Sequence, residues 1–336
     1  MSGNPPVYYD AEAVRRFLTW PLVTEAVESA LKAIVKTTSS SSSYAIQPKR
    51  SFTACGKEGA GILLTMPAFV GDYSLGSTLA CKLVTSFSGN NQRNPPLPSI
   101  HAHVLLFDHQ TGRLSAIMEG TDLTTWRTVA ASLVATKYLY FRRFGLHSER
   151  EMPINVAIVG CGVQGQLHAA AFCANFRVQQ LRLYNRTEAR AQELARELVA
   201  RFSNTQIIVS PSAREACQEA DVICIATYAK EPLIYRKDLK QSHRGVHINA
   251  VGAGEVHFSE LSPDIYQHSK VYVDCYANAE SELVGLPAEI TAELGSVILE
   301  GNYPGSADIS IFQSMGMASE DACVAQALQE AILASA

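Results

Sequence analysis

Residues 154–165, INVAIVGCGVQG, constrain the fold of this chain more than any other stretch. A β-branched run from Ile154 to Val159 enters Gly160-Cys161-Gly162-Val163-Gln164-Gly165. A helical pattern follows at once, with Val163, Leu167, Ala170, Ala171 and Ala174 on one face. This is strand, tight turn and helix, with glycines where a dinucleotide pyrophosphate needs room. Gly160 permits the turn, Gly162 lets backbone approach the phosphates, and Gly165 lets the helix pack on the strand. The unpaired N–H groups at Val163 and Gln164, and the positive end of the helix dipole, then face the anion.

Downstream the rhythm is strand and helix repeated. Strands are predicted at Leu181–Tyr184, Ile207–Val209, Val222–Ala226, Val246–Val251 and Val271–Asp274, with a clear amphipathic helix over Glu188–Phe202. Repeated βα units give a parallel sheet with right-handed crossovers. The first third reads differently. Asp10 caps a short helix through Leu18, and a second helix starts near Pro21. Thr37–Ser43 is a low-complexity run that reads as a mobile loop. Strands then follow at Gln47–Thr53, Gly61–Met66, Leu79–Thr85, His101–Phe107 and Leu114–Met118. Their short, helix-free connections favour antiparallel pairing. A helix from Thr121 to about Tyr140 joins the two parts, and the last helix, Ser319–Leu333, is placed to return across the first. The predicted class is α/β: a Rossmann-type domain beside an α+β domain with a mainly antiparallel sheet.

Composition narrows the function. With 47% hydrophobic and 18% charged residues the chain is ordinary globular protein, and its net charge of -4 gives no reason to expect nucleic acid. No apolar run is long enough to span a bilayer, and the N-terminus lacks the pattern of a signal peptide. The eight cysteines show neither CxxC nor zinc-like spacing, which suits free thiols in the cytoplasm. His101 and His103 share a strand face without a third ligand, and His247 reads as a satisfied core histidine, so no metal is expected.

The end of the second βα strand selects the cofactor. An NAD site places a carboxylate there to bond the ribose 2′-OH. This chain has Asn185-Arg186-Thr187 instead, and Arg186 attracts the 2′-phosphate of NADPH that a carboxylate would repel. Asn185 with Glu188 also fits a helix cap. Ala226-Thr227-Tyr228 and Asn249-Ala250-Val251-Gly252 end the later strands, where ligands of open parallel sheets bind. In the first domain Lys82 lies on an apolar strand, at a sheet edge or aimed into a cavity. Arg50 opens a strand, and Arg127 sits in the second turn of the linking helix beside Thr128. Each cation alone reads as a solvated surface group. Converging, they would clamp a small carboxylate.

Met66-Pro67-Ala68, Lys82-Leu83-Val84-Thr85, Arg127-Thr128, GCGVQG, Asn185-Arg186-Thr187, INAVG at 248–252, Ala292-Glu293-Leu294-Gly295 and Ser314-Met315-Gly316-Met317-Ala318 together resemble the ornithine cyclodeaminase/mu-crystallin family. The resemblance covers nearly the whole chain and is nearest to the mu-crystallin members. It implies a homodimer whose first domains join their sheets. It divides the chain into a substrate-binding and dimerisation domain, 1–122 with 312–336, and a Rossmann domain, 123–311. It also implies that Arg50, Lys82 and Arg127 surround a substrate carboxylate and that Ser314 lies at the cofactor. The activities it brings are NADPH-dependent reduction of cyclic ketimines such as Δ1-piperideine-2-carboxylate or Δ1-pyrroline-2-carboxylate, amino-acid dehydrogenation or ornithine cyclodeamination, and binding of a thyroid-hormone-like ligand. Cyclodeaminases carry a catalytic aspartate two positions after the INAVG glycine. Here that position is Gly254, followed by Glu255, a departure that favours the reductase.

Overall fold

The structure, a computed structural model, describes residues 5–36, 43–55, 60–74, 76–252 and 256–335. Its contacts divide the chain into two units, Met1–Arg127 with Gly316–Ala336, and Thr128–Met315.

The first unit begins with β1 (Val7–Tyr9), α1 (Ala11–Phe17) and α2 (Trp20–Ile34). Asp10 caps α1 by accepting from the Ala13 N–H at 2.9 Å. Then come β2 (Tyr44–Ile46), β3 (Ser51–Cys55), β4 (Gly61–Gly71), β5 (Thr78–Phe87), β6 (Ile100–Phe107) and β7 (Leu114–Glu119). They form one sheet in the order β1-β7-β6-β5-β4-β2, with β3 also on β4. Every pairing is antiparallel except β1 with β7. Strand alternation gives the sheet two faces. Met66, Ala80, Val104, Leu106 and Met118 are buried on the face against which the C-terminal helix, Ala318–Ala334, packs alongside α2. Leu63, Leu79, Leu83, Leu105 and Ile117 lie on the other face and are half-buried.

In the second unit β8 (Ile154–Val159), α4 (Val163–Asn175), β9 (Val178–Tyr184), α5 (Glu188–Arg201) and β10 (Gln206–Val209) make the first βαβαβ half. The rest contains α6 (Ala213–Cys217), β11 (Val222–Ile225), β12 (Val246–Ala250), α7 (Pro263–Gln267), β13 (Ser269–Val273), α8 (Tyr276–Glu282), β14 (Ile290–Glu293), α9 (Leu294–Glu300) and β15 (Ile309–Gln313). The sheet order is β10-β9-β8-β11-β12-β15-β13-β14, parallel throughout. Its centre is buried on both faces, which is why β11 reads as a continuous apolar run, while β12 buries His247 and Asn249 among its apolar residues. Chain order reverses between β8 and β11, so the crevice beyond their carboxyl ends is the switch point of a doubly wound fold. His247, inside β12, is fully buried and bonded to Ser310 and Asn249 at 2.9 and 3.2 Å.

Several expectations change. The strand predicted over 47–53 starts later, as β3 at Ser51, and Gln47-Pro48-Lys49-Arg50 separate it from β2. Pro48 has no N–H to give a ladder. The gap frees the Gln47 side chain to accept from the Ser319 N–H at 3.0 Å. The linking helix, α3, is regular only over Thr121–Thr136, then widens into a π turn at Lys137–Phe141 before stopping at Gly145, which has φ +73°. Four strands were not anticipated: β1, β2, β14 and β15. Residues 37–42 of the low-complexity run, together with Gly254 and Glu255, lie outside the described residues.

Leu106 is 2% exposed on the helix-covered face of the first sheet. Leu106→Ala leaves a cavity there and is expected to cost about 2–5 kcal/mol in urea unfolding.

Candidate functional site

The glycine turn leaves β8 at the switch point. Gly160 has φ +100°, and a Cβ on it would come within 2.5 Å of the Ala226 carbonyl oxygen beyond β11. At Gly165 a Cβ would meet the Gly160 oxygen at 1.7 Å, so α4 seats directly on the turn. A Cβ on Gly162 would meet nothing within 4 Å. Two glycines are therefore demanded by backbone packing and the third faces open space at the amino end of a thirteen-residue helix, α4. A pyrophosphate fits such a cradle.

Asn185 is not the cap of α5. Thr187 holds that position, and the Asn185 side chain accepts from the Cys161 N–H at 2.9 Å and donates to the Thr187 oxygen at 2.9 Å. It ties the glycine turn to the loop after β9. The next residue, Arg186, is exposed at the end of β9. Tyr228 is also exposed, whereas Thr128, Val251 and Ser314 are buried in this unit. Ser314 donates its N–H to the Ala250 oxygen at 3.0 Å, joining the ends of β12 and β15.

Glu260 was missed by sequence reasoning. It is 2% exposed and accepts from both the Thr227 N–H, at 2.7 Å, and the Thr227 hydroxyl. Its other oxygen lies against Gly252, where a Cβ would come within 1.8 Å. Thr227 and Gly252 were assigned to the cofactor; within the chain both are shaped around this carboxyl, which fastens the loops after β11 and β12. Burial pushes Glu260 up to about 7, with the Thr227 hydrogen bonds pulling the other way. No local motif marks it, because its partners lie on two different loops.

In the first unit the three cations converge. Lys82 is not at an edge: β5 runs between β4 and β6, and Lys82 stands in register with Met66 and Val104 on the helix-covered face, 2% exposed. Its Nζ lies 2.6 Å from Asp321 Oδ2. Arg127, also buried, donates from Nε to Asp321 Oδ1 at 3.2 Å and from Nη1 to Glu320 Oε2 at 3.2 Å. Arg50 is half-buried and donates from Nη2 to the Gly316 oxygen at 2.9 Å. Gly316 has φ +81°, and a Cβ there would strike Arg127 Nη1 at 2.4 Å, so only glycine lets the guanidinium lie where it does. The reading of these cations as solvated surface groups thus fails for Lys82 and Arg127. Burial lowers Lys82 to about 8; Asp321 opposes that fall, and the charges of Arg127 and Arg50 add to it.

Both acids, Glu320 and Asp321, went unnoticed in the sequence. They occupy the first turn of the C-terminal helix, where carboxylates ordinarily serve the helix dipole. Glu320 does serve it, accepting from the Met317 N–H at 3.2 Å. Among the described residues these two acids with Lys82 and Arg127 are the buried charged groups of this unit. A cluster of buried cations and a glycine-turn cradle are thus both on one chain.

The chain belongs to the ornithine cyclodeaminase/mu-crystallin family. The family pattern matches residues 12–336. The chain is 33% identical over 328 residues to ketimine reductase mu-crystallin of Macropus fuliginosus, covering 96% of each. It is 34% identical over 266 residues to a Δ1-pyrroline-2-carboxylate reductase of Bacillus cereus (strain ATCC 10987 / NRS 248), covering 75% of this chain and 77% of that one. Its fold matches the Δ1-pyrroline-2-carboxylate reductase of Thermococcus litoralis, solved with NADH and L-proline, with a TM-score of 0.81, 28% identity and 98% of each chain covered. These family relatives are ketimine and Δ1-pyrroline-2-carboxylate reductases, and the last one was solved with a nicotinamide dinucleotide.

Because burial raises Glu260 above its ordinary 4.5, the unfolded chain ionises it first. That contribution to stability is present below pH 4.5 and is lost as pH rises to about 7. Urea unfolding should show wild type losing on the order of 3 kcal/mol against Glu260→Gln across that interval. A pH-independent difference would show that Glu260 does not titrate there.

Proposed function

We propose that this protein is an NADPH-dependent reductase of cyclic ketimines of the Δ1-piperideine-2-carboxylate and Δ1-pyrroline-2-carboxylate type, yielding cyclic amino acids. The observation that carries the reading is the convergence of Arg50, Lys82 and Arg127, two of them buried around one shared carboxylate. Permanent guanidinium charges clamp a substrate carboxylate and fix which carbon is presented for reduction. Lys82, an ammonium with a lowered proton affinity, is suited to protonate the imine nitrogen, and a protonated imine is the better electrophile.

The residues that would hold the cofactor are the glycine turn at its pyrophosphate and Arg186 at its 2′-phosphate. Asn185 braces that loop, and the segments after β11, β12 and β15 line the remainder. Bound there, a reduced nicotinamide supplies the hydride for the imine carbon. An exposed arginine in place of the acidic residue at the end of β9 supports NADPH over NADH. The half-buried apolar face of the first sheet supports a homodimer built by joining that face to a second copy.

Loss of NADPH absorbance with Δ1-piperideine-2-carboxylate tests the reading directly, with NADH run in parallel. Turnover with NADPH is expected, falling as pH rises through about 8 and Lys82 loses its proton. Arg186→Asp should reverse the cofactor preference. Arg127→Ala should lower kcat/KM by roughly 30- to 1,000-fold, the equivalent of about 2–4 kcal/mol. No turnover with either nucleotide would refute the assignment. For the dimer, light scattering should give twice the chain mass for wild type and a smaller species for Leu105→Asp.

A further inference from the structure

The proposed function uses three cations and leaves two buried acids without a role. Asp321 and Glu320 are adjacent in sequence but address different partners. Asp321 takes Lys82 on one oxygen at 2.6 Å and Arg127 Nε on the other at 3.2 Å. Glu320 takes Arg127 Nη1 on Oε2, which also accepts from the Met317 N–H. One acid therefore touches the lysine directly, and the other touches the arginine.

The surroundings of Lys82 make that difference matter. On its sheet face the register neighbours are Met66 and Val104, both apolar. His101 and His103 pair with Thr85 and Leu83 and so lie on the opposite face, as does Glu119, which pairs with His103. The charges facing Lys82 are Asp321 from the C-terminal helix, Arg127 from α3 and Arg50 from the loop before β3. Glu320 stands behind Arg127, and the Cys323 thiol one turn on is held protonated by burial, pushed up to about 12. Without Asp321 the ammonium would be desolvated and would face two positive charges, conditions that discharge a lysine.

We propose that Asp321 is a positioning residue that keeps Lys82 charged and aimed as the proton donor, while Glu320 sets the Arg127 fork that receives the substrate carboxylate. The assignment rests on the imine reductase reading. In the step itself one N–H bond of the Lys82 ammonium breaks and a new one forms at the imine nitrogen. The imine carbon takes a hydride from a reduced nicotinamide dinucleotide, which is thereby oxidised, and C=N becomes CH–NH. Lys82, left as an amine, regains its proton from water. Asp321 remains a carboxylate throughout.

The division of labour has two independent readouts. In the protein without cofactor or substrate, nitrogen-15 lysine NMR, with the Lys82 signal assigned through Lys82→Arg, should show Lys82 titrating near 8. Asp321→Asn should move that titration at least tenfold toward lower proton affinity. In steady-state assays with Δ1-pyrroline-2-carboxylate, Asp321→Asn should lower kcat roughly 10- to 100-fold and shift the basic limb of the pH profile to lower pH. Glu320→Gln should raise KM for the imine several-fold and leave that limb in place. Should Asp321→Asn fail to fold, Asp321→Glu keeps the charge and displaces it by a methylene; it should retain the limb and lose kcat, and an unchanged kcat would overturn the proposal. An Asp321→Asn protein with wild-type Lys82 titration and wild-type basic limb overturns it too, as does a Glu320→Gln profile identical to that of Asp321→Asn. Absence of imine turnover in wild type would instead refute the underlying reading, while the NMR titration would still report on the Asp321–Lys82 pair.

Discussion

The first unit depends on a lysine ammonium and an arginine sharing one carboxylate with almost no exposure to solvent. Desolvating such charges costs several kcal/mol apiece, and only close pairing with satisfied hydrogen bonds offsets it. The fold meets that requirement by taking the charges from separate elements: Lys82 from a central strand, Arg127 from α3 and Asp321 from the C-terminal helix. Apolar residues replacing all of them would pack at least as stably. Stability alone therefore does not account for the cluster.

The second unit solves a different problem, opening a glycine turn at the amino end of a helix. Here the three glycines divide their work. Gly160 and Gly165 are required by neighbours in the chain, while Gly162 clears the space that a ligand would take. Glu260 repeats the theme at the next two strands, since one buried carboxyl fixes Thr227 and Gly252 together.

Local signals were legible and distant ones were not. The strand–glycine–helix unit announces itself because its spacing follows from a single turn, and the βα periodicity carried the parallel sheet with it. Arg50, Lys82 and Arg127 stood out only as oddities, and their meeting needed the sheet register and the return of the C-terminal helix. Asp321 and Glu320 were invisible for a physical reason: acids in a helix's first turn are the commonest of helix features, and nothing local distinguishes a cap from a counter-ion. The break at Gln47–Arg50 was hidden likewise. Pro48 marks it, but only the side-chain bonds of Gln47 and Arg50 to Ser319 and Gly316 give the gap its purpose.

Those two bonds join an early part of the chain to a late one. A ribosome making this protein lays down Arg50, Lys82 and Arg127 first, then the entire dinucleotide-binding unit, and only afterwards the segment carrying Gly316, Glu320 and Asp321. Throughout that interval the nascent sheet holds a lysine that cannot be buried as an ammonium. Its core can close only when the segment carrying Asp321 emerges, so a late stretch of the chain decides when the first domain is finished.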